Sequence, residues 1–275
     1  MDNSIFRQLL SISLAPEMQK CLSAAESIVG FRLSDSDRVP FLYFHNYITN
    51  PQPDFITTWR NDKKLEKWYH RLVNGVLGEV QNTMACIVYH YDRLCSIEKS
   101  VMAIVEEYNY KKVLGNSFIG LGNTLIWDFE YQSFILAFRR CLDYLARSLC
   151  CYFRNDFHSF RRLGKNLQRL KPPEITEPLI NIHSKYIDLF EFVLSEGDRK
   201  STRDKISHYE YIGVGCINLS QQGFVLVGGG EDLNLSYDEK PIKLSEVLEK
   251  HMSNIRACIN EMLITFVNAL RSQGV

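Results

Sequence analysis

The sequence predicts a mainly α-helical protein, a helical bundle with one small β-hairpin inserted before its last helix. Apolar residues recur every three or four positions along most of the chain, and only residues 212–236 change to short β-prone runs. The 275 residues are 45% hydrophobic and 23% charged, which is typical of chains that fold around a hydrophobic core. These observations together favour helices packed on helices over a sheet protein.

Residues 1–116 are predicted to form an N-terminal, mostly helical region whose role the sequence does not indicate. Residues 1–30 have helical spacing, whereas 31–60 is predicted to be irregular because prolines interrupt a run rich in aromatic residues. Beyond it, an apolar stripe predicts a long helix with a slip near Met84, and its continuation ends at Gly115 as a C-cap. The stripe consists of Leu65, Trp68, Leu72, Val76, Val80, Ile87 and Tyr91.

Residues 117–275 are predicted to form a second helical domain that contains the hairpin. Its strongest helix covers 125–153, where an apolar stripe faces a core and the arginines face elsewhere. A shorter helix follows, and the prolines after residue 170 end it. The remaining elements are a helix that begins at Thr176, hairpin strands over 214–219 and 224–227, and a last helix with Ser245 as its N-cap.

The composition excludes several classes of protein and site. Thirty-two Lys and Arg balance 32 Asp and Glu, so bulk charge does not hold the chain to nucleic acid. Eight cysteines are scattered without a C-x-x-C pair, which indicates free thiols in a reducing cytoplasm rather than disulfides or a zinc site. The amino terminus lacks the features of a signal peptide, and no apolar stretch approaches the ~18 residues of a membrane span. P-loop, G-x-S-x-G and H-E-x-x-H motifs are missing, which disfavours the enzyme classes that carry them. Taken together, these observations predict a cytoplasmic protein without membrane contacts, cofactor or metal ion.

One polar segment, Ser201–Tyr209, combines residue types that can cleave RNA without a metal ion. A histidine exchanges protons near neutral pH, so His208 is a candidate general acid–base. A guanidinium presents planar donors that match a phosphate, so Arg203 can stabilise the charge that builds up on phosphoryl oxygens. Asp204 lies four residues before His208 and can orient its imidazole on a helix, and Tyr209 can add a hydroxyl or a stacking surface.

The spacing of Arg203 and His208 resembles the R-x(4–6)-H motif of the HEPN family, whose helical members include metal-independent ribonucleases of toxin–antitoxin and phage-defence systems. Asp204 matches the polar residue that often follows the motif Arg in this family. The resemblance covers about residues 120–275 and implies a HEPN-like domain, an RNA substrate and an antitoxin or other regulatory protein as a candidate partner. It also implies a homodimer in which two motifs share one cleft. A regular helix would place Arg203 and His208 about 140° apart, and either such a dimer or an irregular turn between the two residues would complete the site.

Some members of the family carry a Tyr two positions after the motif His, and this Tyr is modified by a partner antitoxin. Here that position is Glu210, with Tyr209 and Tyr211 on either side. The sequence therefore departs from the family pattern that this form of regulation uses.

Other interpretations of these residues stay open. Arg38 and His45 also satisfy the motif spacing, although Pro40 and a predicted extended context separate them from the family pattern. Arg203 and Asp204 could simply cap a helix terminus and pair on the surface. The bundle could then be a non-catalytic module for dimerisation or partner binding, or a helical domain that binds a nucleotide or another small ligand in a groove.

A basic stretch over residues 139–171 is the candidate RNA-binding surface. It contains nine Lys and Arg against two Asp, a local excess of seven positive charges in a neutral chain. Phe157, His158 and Phe160 lie between the cations and could stack on bases. An ordinary solvated helix face explains the stretch equally well, and its cations would then contribute little to stability. The candidate RNA-binding residues are Arg154, Arg161, Arg162, Lys165 and Arg169.

Overall fold

The computed structural model describes residues 16–194, 217–226 and 242–274, and it confirms the mainly helical architecture. The helices are α1 (Pro16–Val29), α2 (Asp35–Thr49), α3 (Asp54–Asn61), α4 (Glu66–Asn74), α5 (Gln81–Glu107), α6 (Lys111–Leu114), α7 (Leu125–Tyr152), α8 (Leu163–Leu167), α9 (Pro173–Tyr186), α10 (Glu191–Leu194) and α11 (Leu244–Ser272). A π-helical turn over Gly75–Val80 joins α4 to α5, and a 3-10 turn over Asp188–Phe190 precedes α10.

A small antiparallel sheet precedes the last helix, as predicted. In the described part of the chain, its strands follow the order β1-β2-β3-β4. They are β1 (Ile119–Gly120), β2 (Ile217–Ser220), β3 (Gly223–Leu226) and β4 (Ile242–Lys243). β2 and β3 form the predicted hairpin, and β1 joins its edge by pairing Ile119 with Leu219.

One hydrophobic core is shared by helices from both predicted domains. α5 and α7 run antiparallel, because Cys141 of α7 contacts Val80 O just before α5, while Glu130 contacts His90. α11 packs against α2 and α9, and its apolar stripe is buried along the whole helix. The core therefore contains residues from both sides of the predicted boundary between 116 and 117.

The prediction of an irregular stretch over 31–60 is wrong, because α2 and α3 occupy most of it. Asp37 N donates a hydrogen bond of 3.1 Å to Ser34 Oγ, which caps α2. Pro40 lies inside α2 and removes a backbone hydrogen bond, which costs about 3 kcal/mol in a helix interior. Burial of phenylalanines, at about 1.5–3 kcal/mol each, offsets that cost. These are Phe41 and Phe44, which are 2% and 0% exposed.

The π-helical turn explains why the apolar stripe of α4 and α5 slips. A π-helical turn contains one more residue than an α-helical one, so it changes the phase of the side chains that follow. It also brings the backbone at Gly75 against Ser148 of α7, where a Cβ on residue 75 would overlap with Ser148 Oγ. The turn therefore lies slightly before the predicted slip near Met84 and is packed against a neighbouring helix.

The ends of several elements differ from their predictions. α9 begins at Pro173 rather than Thr176, with Pro172 at its N-cap. α11 begins at Leu244 with Lys243 at its N-cap, so the prediction of Ser245 as N-cap is wrong. Gly115, with a φ of 52° in the left-handed region, is the C-cap of the short helix α6, whereas the predicted long helix ends earlier, at Glu107. Among the described helices, none has the length and apolar character needed to cross a membrane.

A buried histidine makes the protein sensitive to acid. The ring of His251 on α11 stacks on Phe192 with centroids 3.8 Å apart, and no described group hydrogen-bonds to its Nδ1. Burial, together with the positive charge of Lys250, lowers the pKa of His251 from 6.5 to about 4. The folded state therefore binds fewer protons than the unfolded chain between these two values.

We expect the free energy of unfolding to fall by about 3 kcal/mol, from this histidine alone, as the pH is lowered from 6.5 to 4. Above pH 6.5 the ring is neutral in both states and contributes no pH dependence. Urea unfolding at a series of pH values measures the effect. His251→Phe should flatten the curve in this window, whereas His70→Gln, at an exposed histidine, should leave it unchanged. An equal slope in the wild type and His251→Phe would contradict the assignment.

Candidate nucleic-acid interface

The predicted catalytic residues Arg203, Asp204, His208 and Tyr209 lie outside the described residues. The segment that contains them leaves the described part of the chain at Leu194 and returns at Ile217. We call Leu194 and Ile217 the upstream and downstream attachment points of the segment. Their contacts show which described residues lie beside its two ends.

The upstream attachment point is held by two arginines of the basic stretch. Arg139 Nη1 donates a hydrogen bond of 2.9 Å to Val193 O, and Arg161 Nη1 donates one of 3.0 Å to Leu194 O. These carbonyls belong to the last described residues of α10. Asp143 holds Arg139 through Oδ2 at 2.8 Å. The chain therefore leaves Leu194 directly beside the basic stretch.

The downstream attachment point is the hairpin, which a buried carboxylate fixes to α5. Phe224 N donates a hydrogen bond of 2.8 Å to Glu98 Oε1, and the residue Glu98 is only 6% exposed. The tight turn of the hairpin is completed by Ser220 Oγ, which donates to Gly223 O at 2.9 Å. Because β2 begins at Ile217, this docking also fixes where the chain returns.

Part of the basic stretch serves the fold rather than a ligand. Arg139 and Arg161 hold the carbonyls of α10, Arg147 pairs with Glu79, and both Arg161 and Arg162 make further contacts. The interpretation of the stretch as an ordinary solvated face therefore does not hold for Arg139, Arg147 and Arg161. Removal of a guanidinium that satisfies a partly buried carbonyl costs about 1–3 kcal/mol.

The other cations of the stretch are exposed, and their side chains make no hydrogen bond or ion pair with any described residue. They are Arg140, Arg154, Lys165, Arg169 and Lys171. Asn166 Nδ2 lies 3.4 Å from Cys150 Sγ, so α8 packs beside the C-terminal end of α7. Arg154 follows that end of α7, and Lys165 lies in α8, so both cations border the same region.

The candidate aromatic residues differ in their access to solvent. Phe160 is 0% exposed, and its N–H donates to Asp143 Oδ1 at 2.9 Å, so the prediction that it stacks on bases is wrong. Phe157 is half-buried, and His158 is exposed. Only the last two rings can meet a ligand without movement of the core.

The structure adds cations of α4 that the sequence interpretation missed. Arg71 of α4 pairs with Asp156 at 2.6 Å, which lowers the pKa of that carboxyl, and the positive charges of His158 and Lys67 act in the same direction. Lys67 and Arg71 also lie over the ring of Trp68, at 4.7 and 5.8 Å from its centroid. A signal was present, because residues 60–71 contain five Lys and Arg against two acidic residues.

We give the name basic face to exposed cations and an exposed histidine of α4, of α8 and of the segments that follow α7 and α8. It consists of Lys67, Arg71, Arg154, His158, Lys165 and Arg169. Cations interspersed with partly exposed rings can bind the backbone and bases of a single-stranded nucleic acid.

Replacement of Arg154, Lys165 and Arg169 together by Ala is expected to weaken binding of single-stranded RNA by about 10-fold or more. Loss of three phosphate contacts releases fewer counterions, so the slope of log K against log salt should become shallower by about 2. Fluorescence anisotropy across a salt series measures both quantities. The control triple variant at Lys99, Lys112 and Lys250, exposed lysines of other elements, makes the same change in net charge. Equal slopes for the two triple variants would exclude the basic face as the interface.

Comparison with protein-family models, with curated protein sequences and with solved structures finds no match to this chain. The assignment of a function therefore depends on the residues and contacts described above.

Proposed function

We propose that this chain is a metal-independent endoribonuclease of HEPN type, which binds RNA on the basic face and cleaves it with Arg203 and His208. The observation that carries the proposal is the contact between Arg161 and Leu194 O. It supports the proposal because a nuclease must bring a bound phosphate to its catalytic residues. The motif segment departs from beside Arg161, which lies four residues before Lys165 of the basic face.

The proposed chemistry is attack by the RNA on its own backbone. His208 accepts the proton of a 2′-hydroxyl, and the 2′-oxygen then forms a bond with the adjacent phosphorus. Arg203 stabilises the charge that accumulates on the phosphoryl oxygens. The bond to the 5′-oxygen breaks, and this oxygen takes a proton from the imidazolium of a second His208 in a homodimer. Asp204 orients the imidazole, and Tyr209 donates a hydroxyl or stacks on a base.

We also propose that the protein is a homodimer, acts in the cytoplasm and is controlled by a regulatory protein. A homodimer would bring two copies of the motif to one cleft, which solves the separation of about 140° between Arg203 and His208 on one regular helix. We propose that the protein acts in the cytoplasm, where its free cysteines stay reduced and its RNA substrate is present. An antitoxin or another regulatory protein would control it, as in toxin or phage-defence systems of the family it resembles.

The ends of the RNA products test the proposal directly. Cleavage by the 2′-hydroxyl yields 2′,3′-cyclic phosphate and 5′-hydroxyl ends, continues in excess EDTA, and leaves DNA intact because DNA lacks that hydroxyl. End-labelling and mass spectrometry of cleaved oligonucleotides identify the products. Cleavage of DNA, 5′-phosphate products, or loss of activity on chelation would indicate a hydrolytic metal site instead.

A second candidate is a non-catalytic module for dimerisation, which the exposed apolar face of α1 favours. Met18, Leu22, Ile28 and Val29 share one side of this helix and are 45–83% exposed. If the protein is such a module, the double variant Ile28→Lys, Val29→Lys should be a monomer in sedimentation experiments in which the wild type is a dimer. The wild type should not cleave RNA. A nuclease whose site spans two chains should instead lose activity on dilution below its dimer dissociation constant.

A further inference from the structure

Four side chains at the junction of α5 and α7 form a cluster that is separate from the basic face. Cys86 is exposed on α5, and His90 lies one helical turn after it on the same side. His90 Nδ1 lies 2.7 Å from Glu130 Oε2 of α7, and Arg93 Nε lies 3.4 Å from the other oxygen of Glu130. The order of groups is thus a thiol, an imidazole and a carboxylate, with an arginine behind the carboxylate.

The imidazole and the carboxylate are largely shielded, whereas the thiol is accessible. The side chains of His90 and Glu130 are 18% and 17% exposed. The Cys86 side chain raises the pKa of His90 by hydrogen bonding, burial opposes this effect, and Glu130 adds to it. The imidazole of His90 therefore has a thiol and a carboxylate as neighbours, and it can exchange a proton with the thiol.

The remaining described cysteines lack such an arrangement. Burial raises the pKa values of the thiols of Cys95, Cys141, Cys150, Cys151 and Cys258. Cys21 is exposed like Cys86, but α1 contains no histidine. Cys21 is therefore an internal reference for an accessible cysteine without an imidazole partner.

The position of Cys86 inside a helix decides which reaction the cluster supports. Acyl transfer requires backbone or side-chain donors for an oxyanion, but the N–H groups around Cys86 are occupied by the hydrogen bonds of α5. Thiol–disulfide exchange requires only a thiolate, access to it, and a proton for the leaving sulfur. Tyr89, three residues after Cys86 and 45% exposed, adds an accessible apolar surface beside the thiol.

We propose that Cys86 is a reactive thiol, assisted by His90 and Glu130, that forms mixed disulfides with low-molecular-weight disulfides. His90 takes the proton of the Cys86 thiol, and the Cys86 sulfur attacks one sulfur of the small disulfide and forms a new S–S bond. The original S–S bond breaks, and its electron pair leaves with the second sulfur, which takes the proton held by His90. The thiol and the disulfide are converted to a mixed disulfide and a small thiol, without a further oxidant.

The rate of reaction with oxidised glutathione tests this inference in the full chain. The reduced protein is mixed with oxidised glutathione, quenched with acid and a maleimide, digested, and analysed for the mixed disulfide at each cysteine by mass spectrometry. At pH 7 we expect Cys86 to react at least about 10-fold faster than Cys21.

Variants separate assistance by the imidazole from simple exposure. His90→Gln should lower the rate at Cys86 to that at Cys21, and Glu130→Gln should give an intermediate rate. His70→Gln, at an exposed histidine that pairs with Glu66 on α4, is the matched control and should change neither rate. Equal rates at Cys86 and Cys21 in the wild type at pH 7 would overturn the inference, whether or not the variants fold. A rate at Cys86 that is unaffected by His90→Gln in a folded variant would overturn it as well.

Discussion

RNA cleavage by the His208→Ala and Arg203→Ala variants is expected to fall at least about 100-fold below that of the wild type. A positioned general acid–base contributes about 10²–10⁴-fold to a rate, and a fixed cation at the developing charge contributes on a similar scale. Both residues lie in a segment of the sequence that is rich in polar residues. We therefore expect the variants to keep the helix content and thermal unfolding of the wild type.

Single-turnover cleavage of a labelled RNA, with circular dichroism as the test of folding, measures these effects. Arg38→Ala and His45→Ala are matched controls because they remove the other Arg–His pair of motif spacing. This pair lies on α2, where Arg38 forms an i,i+3 ion pair with Asp35 at 3.7 Å. Full activity in either motif variant, or loss of folding in both, would refute the catalytic assignment.

The Gly223→Ala variant is expected to be less stable than the wild type by about 3 kcal/mol or more. Gly223 has a φ of +122°, a conformation that residues with a Cβ rarely adopt. A Cβ at this position would also overlap with Glu98 Oε1, the atom that accepts the hydrogen bond of Phe224 N. The substitution therefore strains the backbone and displaces the carboxylate that docks the hairpin.

Urea unfolding provides the measurement, and the chain supplies its own control. Gly122→Ala introduces a Cβ with no atom within 4 Å and should change the free energy of unfolding by less than about 0.5 kcal/mol. Addition of Glu98→Ala to Gly223→Ala should not restore stability, because the positive φ remains and Phe224 N loses its acceptor. A Gly223→Ala variant as stable as the wild type would contradict the geometry of this turn.

The sequence predicted the elements whose signal is local and periodic. The stripes of α7 and α11 and the turn of the β2–β3 hairpin depend on residues close in the chain, and these predictions are confirmed. The helix α2 was missed because the local signal of Pro40 is overcome by tertiary burial of its neighbours. The strand β1 was missed because two residues carry no pattern until β2 pairs with them.

The candidate site was likewise predicted where its signal is local in the sequence and missed where it depends on tertiary contacts. The excess of positive charge over 139–171 is visible in the sequence, but the commitment of Arg139 and Arg161 to α10 is not. Their acceptor carbonyls lie more than 30 residues away in the chain and are backbone atoms, which leave no mark on residue type. The contribution of α4 was foreseeable from composition, whereas its position beside Asp156 required the fold.

The π-helical turn over Gly75–Val80 determines in which direction around the helix axis the basic side chains of α4 point, relative to α5. In an α-helix each residue advances by about 100° around the axis, so removal of one residue from this turn would rotate α4 by that angle relative to α5. Lys67 and Arg71 would then turn away from Asp156 and from the end of α7, although the sequence of α4 would be unchanged. Gly75 lies in close contact with Ser148 of α7, so the packing of α7 fixes the conformation of this turn. The turn thereby fixes the direction in which the positive side chains of α4 point.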